Sequence, residues 1–161
     1  MSEEKPKLLI LEDDEGLRRQ YRWALSDYVL FLSGAREEAI ELMRAERPPV
    51  AIVDLGLPPD PDGATEGLAA LAAILAMAPE TKVIVASGNE SREHALKAIS
   101  LGAYDFYQKP IEIDVLRTIL DRALRLYRLE DENRRLSSLG APKSPIAPRV
   151  QCGPCTGKTW P

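Results

Sequence analysis

The strongest constraint on the fold is a repeated alternation of short apolar runs with longer segments of helical periodicity. The apolar runs lie at Leu8–Leu11, Val29–Leu32, Val50–Val53, Val83–Ala86 and Tyr104–Tyr107. Between them, apolar residues recur three and four positions apart, which is typical of amphipathic helices. Strands without polar alternation are covered on both faces, and their alternation with helices indicates parallel βαβ units. We therefore expect an α/β fold with a doubly wound, five-stranded parallel sheet and five helices.

Composition limits the classes of partner. The chain has 161 residues, 45% of them hydrophobic, which suits one globular domain with a short appendage. Its formal net charge of −4 argues against a broad basic face, so we expect no direct binding of nucleic acid. The two cysteines, Cys152 and Cys155, lie near the C-terminus, so no disulfide framework is expected in the body of the chain. Proteins, metals and small anions are the expected partners.

The sequence shows no membrane or export signal. No apolar run approaches the roughly 18 residues of a membrane span. The first residues, MSEEKPK, lack the apolar stretch of a signal peptide. We therefore predict no membrane association and a cytoplasmic location.

Polar side chains follow four of the five predicted strands. They are Glu12 and Asp13 after the first, Asp54 after the third, Ser87 after the fourth and Lys109 after the fifth. The carboxyl ends of parallel strands meet at one edge of the sheet, and function gathers there in doubly wound folds. The sequence therefore predicts that these side chains converge.

Such a set suits phosphoryl transfer on a metal. Neighbouring carboxylates repel one another unless they share a proton or bind a hard cation, and Mg²⁺ takes one or two carboxylates together with phosphate oxygens. Asp54 follows an apolar strand and is the best candidate nucleophile, while Ser87 and Lys109 would hold the transferred group. Each residue alone is more often a turn residue or a helix cap. Four strand ends carrying suitable groups favour the functional interpretation.

The motifs LILEDD, VDLGLP, VIVASG and FYQKP occur in the order found in response-regulator receiver domains, the phosphoacceptor modules of bacterial two-component signalling. The chain resembles that family over about residues 6–127. The resemblance implies a flavodoxin-like fold and phosphorylation of Asp54 by a sensor histidine kinase. It also implies a Mg²⁺ ion held by Glu12, Asp13, Asp54 and the carbonyl of Gly56, with Ser87 and Lys109 on the phosphoryl group. A domain of this kind catalyses only its own phosphorylation and dephosphorylation.

The resemblance also sets the register of the acidic run. Counted from Leu17 and Arg18, the metal-binding pair of the family falls on Glu12 and Asp13. Asp14 is then expected to cap the first helix, and Glu15 to be a solvated acid of its first turn.

The resemblance further implies a switch. Phosphorylation would draw Ser87 toward the phosphoryl group and free space for Phe106, the aromatic residue three positions before Lys109. Without a phenol, Phe106 would act by packing alone, and an ordinary core aromatic residue is the alternative. Pro110 is a candidate cis proline, as the family would have it.

The last predicted helix, from Ile113 to about Leu139, is longer than a receiver domain requires. Heptad spacing across this helix suggests a coiled-coil homodimer, with an exposed signalling helix as the alternative; the residues concerned are Ile119, Leu126, Leu129, Asn133 and Leu136. We expect a receiver domain at 1–127, a helical extension at 128–139 and a disordered tail at 140–161.

With its extended helix and the motif YDFYQKP, the chain resembles receivers of NtrC-type, sigma-54-dependent transcriptional activators, particularly regulators associated with exopolysaccharide and PEP-CTERM systems. The expected function is a phosphorylation switch. It would act on the face formed by the fourth helix, fifth strand and fifth helix, with dimerisation or partner docking as output in the control of transcription. A receiver-like interaction module that signals without phosphate is the alternative.

Overall fold

The computed structural model describes residues 5–56, 65–88, 92–110 and 112–138 of the chain. Five strands form one sheet in the order β2-β1-β3-β4-β5, and every described pairing is parallel. The strands are β1 Lys7–Leu11, β2 Val29–Ser33, β3 Val50–Asp54, β4 Lys82–Ser87 and β5 Asp105–Gln108. This confirms the predicted sheet, with β5 shifted by one residue.

Five helices alternate with the strands, which confirms the predicted α/β order. They are α1 Glu15–Ala24, α2 Arg36–Glu46, α3 Thr65–Met77, α4 Arg92–Leu101 and α5 Ile113–Ser138. None of the helices in the described ranges combines the length and the apolar character needed to cross a membrane.

Both faces of the sheet are buried, which explains why its strands are apolar at successive positions. Leu8 and Ile10 of β1 lie in one apolar layer, with residues of α1 and α5. Leu9 and Leu11 of the same strand lie in the other layer, with residues of α2 and α3. Alternate side chains of a strand point to opposite faces, so each central strand supplies both layers.

The chain divides into two units, residues 1–127 and 128–161, and the division falls within α5. In the first unit, Leu116, Ile119 and Leu120 are buried in the layer shared with α1. The prediction that Ile119 belongs to an intermolecular seam is therefore wrong, because that side chain packs inside its own domain. In the second unit, Leu129 and Leu136 are 61% and 51% exposed. The predicted disordered tail, 140–161, lies outside the described residues.

Candidate functional site

The carboxyl ends of β1 and β3 bring three acidic side chains together. The two strands are neighbours, with Leu11 paired to Val53, so the residues that follow them are adjacent. One carboxylate oxygen from each of Glu12, Asp13 and Asp54 lies within 4.8 Å of the others. Glu12 and Asp54 are only 1% and 4% exposed, whereas Asp13 is exposed to solvent. The cluster therefore has a buried floor and an open side.

Lys109 joins the two buried carboxylates. Its Nζ atom lies 3.0 Å from Oε1 of Glu12 and 3.2 Å from Oδ2 of Asp54. The backbone N–H of Lys109 donates to the carbonyl of Ser87 at 2.8 Å, which ties the residue to the end of β4. One ammonium group thus partly compensates two carboxylates that have little access to water.

The charges of this cluster are strongly interdependent. The pKa of Glu12 is raised to about 7, chiefly by burial and further by the neighbouring charge of Asp54, against the opposing effect of Lys109. Burial tends to lower the pKa of Lys109, but the carboxylates of Glu12 and Asp54 outweigh it and the pKa is raised. Lys109 is therefore cationic at neutral pH, and Glu12 keeps its proton to a higher pH than an exposed glutamate does.

Hydrogen bonds to the backbone distinguish Glu12, which belongs to the cluster, from Asp14, which caps α1. Oε2 of Glu12 accepts a hydrogen bond from the N–H of Asp14 at 3.2 Å. Nη1 of Arg18 donates to the carbonyl of Glu12 at 2.6 Å. Oδ1 of Asp14 accepts from the N–H of Leu17 at 3.0 Å, which caps α1. The predicted cap at Asp14 is confirmed, and Glu15 is exposed in the first turn, as expected.

Arg18 contacts the backbone of the site, and this contact was not predicted from the sequence. The sequence carries no signal for its contact with the carbonyl of Glu12, because the arginine reaches back six positions to a backbone atom.

Asp54 is oriented by the turn after β3 and by a close approach of α3. Its Oδ1 accepts from the N–H of Gly56 at 3.1 Å. A Cβ atom at Gly67 of α3 would lie 2.5 Å from Cα of Leu55 and 2.7 Å from the carbonyl oxygen of Asp54. Only glycine therefore allows this helix so close to the end of β3. Sequence reasoning missed Gly67, although a lone glycine inside a helical pattern often marks such an approach.

Ser87 is the last residue of β4, and Phe106 is the second residue of β5, paired with Val85. The Ser87 hydroxyl is buried and donates to the carbonyl of Gly88 at 3.3 Å. Phe106 is 39% exposed, so the alternative interpretation of it as an ordinary core aromatic residue is wrong. The peptide bond between Lys109 and Pro110 is cis.

The donor set fits a hard divalent cation. Three carboxylate oxygens lie within reach of one ion, and one of the acids, Asp13, faces solvent. Magnesium favours oxygen ligands and retains several waters, so an acidic cluster that is open on one side suits it better than a closed cage would.

Comparisons with known proteins agree with this geometry. Residues 8–121 match the family model of the response regulator receiver domain. The nitrogen assimilation regulatory protein NtrX of Azorhizobium caulinodans is 33% identical over 141 residues, covering 86% of this chain and 30% of the relative. The alginate biosynthesis transcriptional regulatory protein AlgB of Pseudomonas aeruginosa is 29% identical over 143 residues, covering 83% of this chain and 31% of the relative.

A solved structure gives the same result. The crystal structure of the receiver domain of NtrX from Brucella abortus is 30% identical, with a TM-score of 0.65, and the match covers 73% of this chain and 98% of that one. The present chain spans about a third of the length of the two curated relatives.

Proposed function

Because the chain belongs to the response regulator receiver domain family, we propose that it is a phosphoacceptor whose Asp54 takes a phosphoryl group from a sensor histidine kinase, with Mg²⁺ bound. Receiver domains belong to signalling regulators and not to a family of catalytic enzymes. The chemistry proposed for this chain is accordingly confined to its own aspartate.

One observation carries the proposal. The buried carboxylate of Asp54 lies 3.2 Å from the ammonium of Lys109, in one cluster with the carboxylates of Glu12 and Asp13. A phosphoryl acceptor needs a nucleophilic oxygen, positive charge beside the transferred oxygens and a site for a metal. These three requirements meet at a single edge of the sheet.

The residues divide the work of the transfer. Glu12, Asp13 and Asp54, with the carbonyl of Gly56, would hold Mg²⁺, which neutralises charge on the phosphoryl oxygens when bound. An oxygen of Asp54 forms the new bond to phosphorus as the bond from phosphorus to the histidine nitrogen breaks. The imidazole leaves with that electron pair and takes up a proton. Lys109 pairs with the phosphoryl oxygens, and Ser87 donates a hydrogen bond to them.

The proposed output is a rearrangement around Ser87 and Phe106. A phosphoryl group on Asp54 attracts the Ser87 hydroxyl away from the carbonyl of Gly88. The exposed ring of Phe106 then repacks into the space that is left, which changes the face formed by α4, β5 and α5. We propose that this face docks a partner or a second chain, in the control of transcription in the cytoplasm.

We further propose membership of the sigma-54-dependent regulators associated with exopolysaccharide and PEP-CTERM systems. The motif YDFYQKP supports it, and AlgB, a relative named for alginate biosynthesis, is consistent with it.

The extension of α5 is the proposed dimer element. Leu129, Asn133 and Leu136 recur at positions four and three apart and are all exposed in the second unit. That spacing matches the core positions of a two-stranded coiled coil, in which one buried Asn fixes the register.

The test is direct phosphorylation. Wild type, Asp54→Asn and Asp14→Asn are incubated with acetyl phosphate, with and without Mg²⁺, and the mass of the intact protein is measured. We expect wild type and Asp14→Asn to gain one hydroxylamine-labile phosphate that depends on Mg²⁺, and Asp54→Asn to gain none. Asn retains the capping function, so Asp14→Asn is a folded control. A wild type that gains no phosphate would refute the proposal and leave the phosphate-independent interaction module.

A further inference from the structure

Two tyrosine hydroxyls meet inside the apolar layer that α1 and α5 share with the sheet. The hydroxyl oxygens of Tyr21 in α1 and Tyr107 in β5 lie 2.8 Å apart. The residues are 1% and 9% exposed, and their neighbours in the layer are mainly aliphatic, among them Leu8, Ile10 and Leu116. A buried hydroxyl that loses its partner costs free energy, so each of these groups requires the other.

The pair connects two segments that also carry the site. Tyr107 belongs to β5 and precedes Lys109 by two residues, and Tyr21 belongs to the helix that follows Glu12 and Asp13. Burial raises the pKa of both tyrosines, and the negative charges of Glu12 and Asp54 raise it further. The hydroxyl pair therefore joins the strand that leads to Lys109 to the helix that follows Glu12 and Asp13.

The position of β5 needs such a connection. This strand lies at the edge of the sheet and, among the described strands, pairs only with β4. Its backbone thus fixes Lys109 relative to Ser87, but not relative to the segment that carries Glu12. The Tyr21–Tyr107 bond joins β5 to α1, and the Lys109–Glu12 contact joins the same two parts of the chain at the carboxylate cluster.

We propose that the Tyr21–Tyr107 hydroxyl pair is a positioning element that holds the end of β5 against α1, so that the ammonium of Lys109 reaches both Glu12 and Asp54. This inference rests on the proposed function, since it concerns the delivery of Lys109 to the phosphoryl-transfer site. It adds residues that touch neither phosphate nor metal.

The test separates positioning from simple stability. Tyr107→Phe removes one hydroxyl, whereas Tyr21→Phe/Tyr107→Phe removes both and leaves no buried group without a partner, so its stability should return close to that of wild type. We expect both variants to be phosphorylated about tenfold more slowly by acetyl phosphate, because a small displacement of a catalytic group is costly. Tyr28→Phe is the matched control, since Tyr28 lies in the same layer and its hydroxyl donates to Asp121 at 3.4 Å. Its rate should remain at the wild-type value.

A double-mutant cycle with Lys109→Gln tests whether the tyrosines affect phosphorylation through Lys109. If the tyrosines act through Lys109, Tyr107→Phe should change the residual rate of Lys109→Gln by less than about twofold. Recovery of the rate together with stability in the double phenylalanine variant would overturn the inference. An equal loss from Tyr107→Phe in both backgrounds would also overturn it.

A spectroscopic measurement decides the inference even if wild type takes no phosphate. The ¹⁵N signal of the Lys109 ammonium is assigned by its absence in Lys109→Gln. We expect that signal to shift toward the values of exposed lysines in Tyr107→Phe and to be unchanged in Tyr28→Phe. An unshifted signal in Tyr107→Phe would show that the hydroxyl pair does not position Lys109.

Discussion

Nζ of Lys109 lies 3.0 Å from Oε1 of Glu12, although 97 positions separate the two residues in the chain. The same ammonium contacts Asp54, so it pairs with one oxygen of each of the two buried carboxylates proposed to hold the metal ion. The lysine therefore has opposite expected effects on metal binding and on phosphoryl transfer.

We expect Lys109→Gln to bind Mg²⁺ about fivefold more tightly than wild type at pH 8, because it removes the ammonium that pairs with both Glu12 and Asp54, a competition worth about 1 kcal/mol. Its phosphorylation by acetyl phosphate should slow about 100-fold, as for loss of a donor to developing negative charge. Calorimetric Mg²⁺ titration and a phosphorylation time course measure the two effects. Lys97→Gln, an exposed lysine of α4, is the control. Weaker Mg²⁺ binding by Lys109→Gln would contradict the competition.

Mg²⁺ binding should release a proton from Glu12. Burial and the charge of Asp54 raise the pKa of this group to about 7 in the metal-free protein, so binding should release more protons at pH 6 than at pH 8. The affinity for Mg²⁺ should accordingly fall as the pH drops below 7. Calorimetry in two buffers of different ionisation enthalpy counts the protons. Equal release at pH 6 and pH 8 would contradict the assignment.

The same group should make the metal-free protein less stable as pH rises. The folded pKa of Glu12 is raised from 4.5 to about 7, so the folded state holds this proton more tightly than the unfolded chain does. Its contribution to the free energy of unfolding is fully present below pH 4.5 and is lost as the pH rises through 7. We expect urea unfolding between pH 5 and pH 8 to show that the free energy of unfolding of wild type falls relative to that of Glu12→Gln as the pH rises. A difference in the free energy of unfolding between the two proteins that does not depend on pH would contradict this prediction.

Replacement of the neighbouring acids should separate capping from metal binding. Asp14→Ala should lower the free energy of unfolding by about 1 kcal/mol through loss of the α1 cap, and Glu15→Ala by less. Both should bind Mg²⁺ with affinity close to that of wild type, whereas Glu12→Ala should lose most of its affinity. Urea unfolding and Mg²⁺ titration of the three variants provide the measurements. A large loss of Mg²⁺ affinity in Asp14→Ala would show that the metal-binding pair is Asp13 and Asp14 and not Glu12 and Asp13.

Gly67→Ala should destabilise the protein by about 2 kcal/mol, which is about 3 kcal/mol of overpacking, the upper end of its usual range, less about 1 kcal/mol gained in helix propensity. The new methyl group would meet backbone atoms of Asp54 and Leu55, which cannot move aside as a side chain can. Gly16→Ala is the control, since its Cβ would approach only Oδ1 of Asp14, at 3.1 Å. Urea unfolding of a Gly67→Ala variant as stable as wild type would contradict the close packing of α3.

The α5 extension should mediate dimerisation through its exposed leucines. We expect Leu129→Lys/Leu136→Lys to be a monomer at concentrations at which the wild type is a dimer, because two charged ammonium groups would enter the seam. Sedimentation with and without beryllofluoride and Mg²⁺ measures the association and its dependence on the activated state. Arg128→Ala is the control, since Arg128 lies on the same helix but outside the heptad positions of Leu129 and Leu136, and it should dimerise as wild type does. A wild type that is monomeric in both conditions would remove the coiled coil from the proposal.

Much of the site could be predicted from local sequence because a parallel sheet places successive strand ends together. Glu12, Asp13, Asp54 and Lys109 each follow an apolar strand, and the structure brings them into one cluster. The position of the cap was also readable, since Asp14 precedes the helical pattern of α1. The prediction that Ile119 lies in a coiled-coil interface was wrong because heptad spacing of apolar residues indicates a buried helix face but not which element covers it. That side chain packs within its own domain.

The sequence by itself determined the order of strands and helices, the double burial of the sheet and the edge at which the polar groups gather. These follow from hydrophobic periodicity, which is local along the chain. Only the tertiary structure decided the contact of Lys109 with Glu12, the bond between Tyr21 and Tyr107 and the approach of Gly67 to Asp54. Each of these depends on the distance between atoms of separate elements, and that distance is set by how helices and strands pack. Residue spacing along the chain does not contain it.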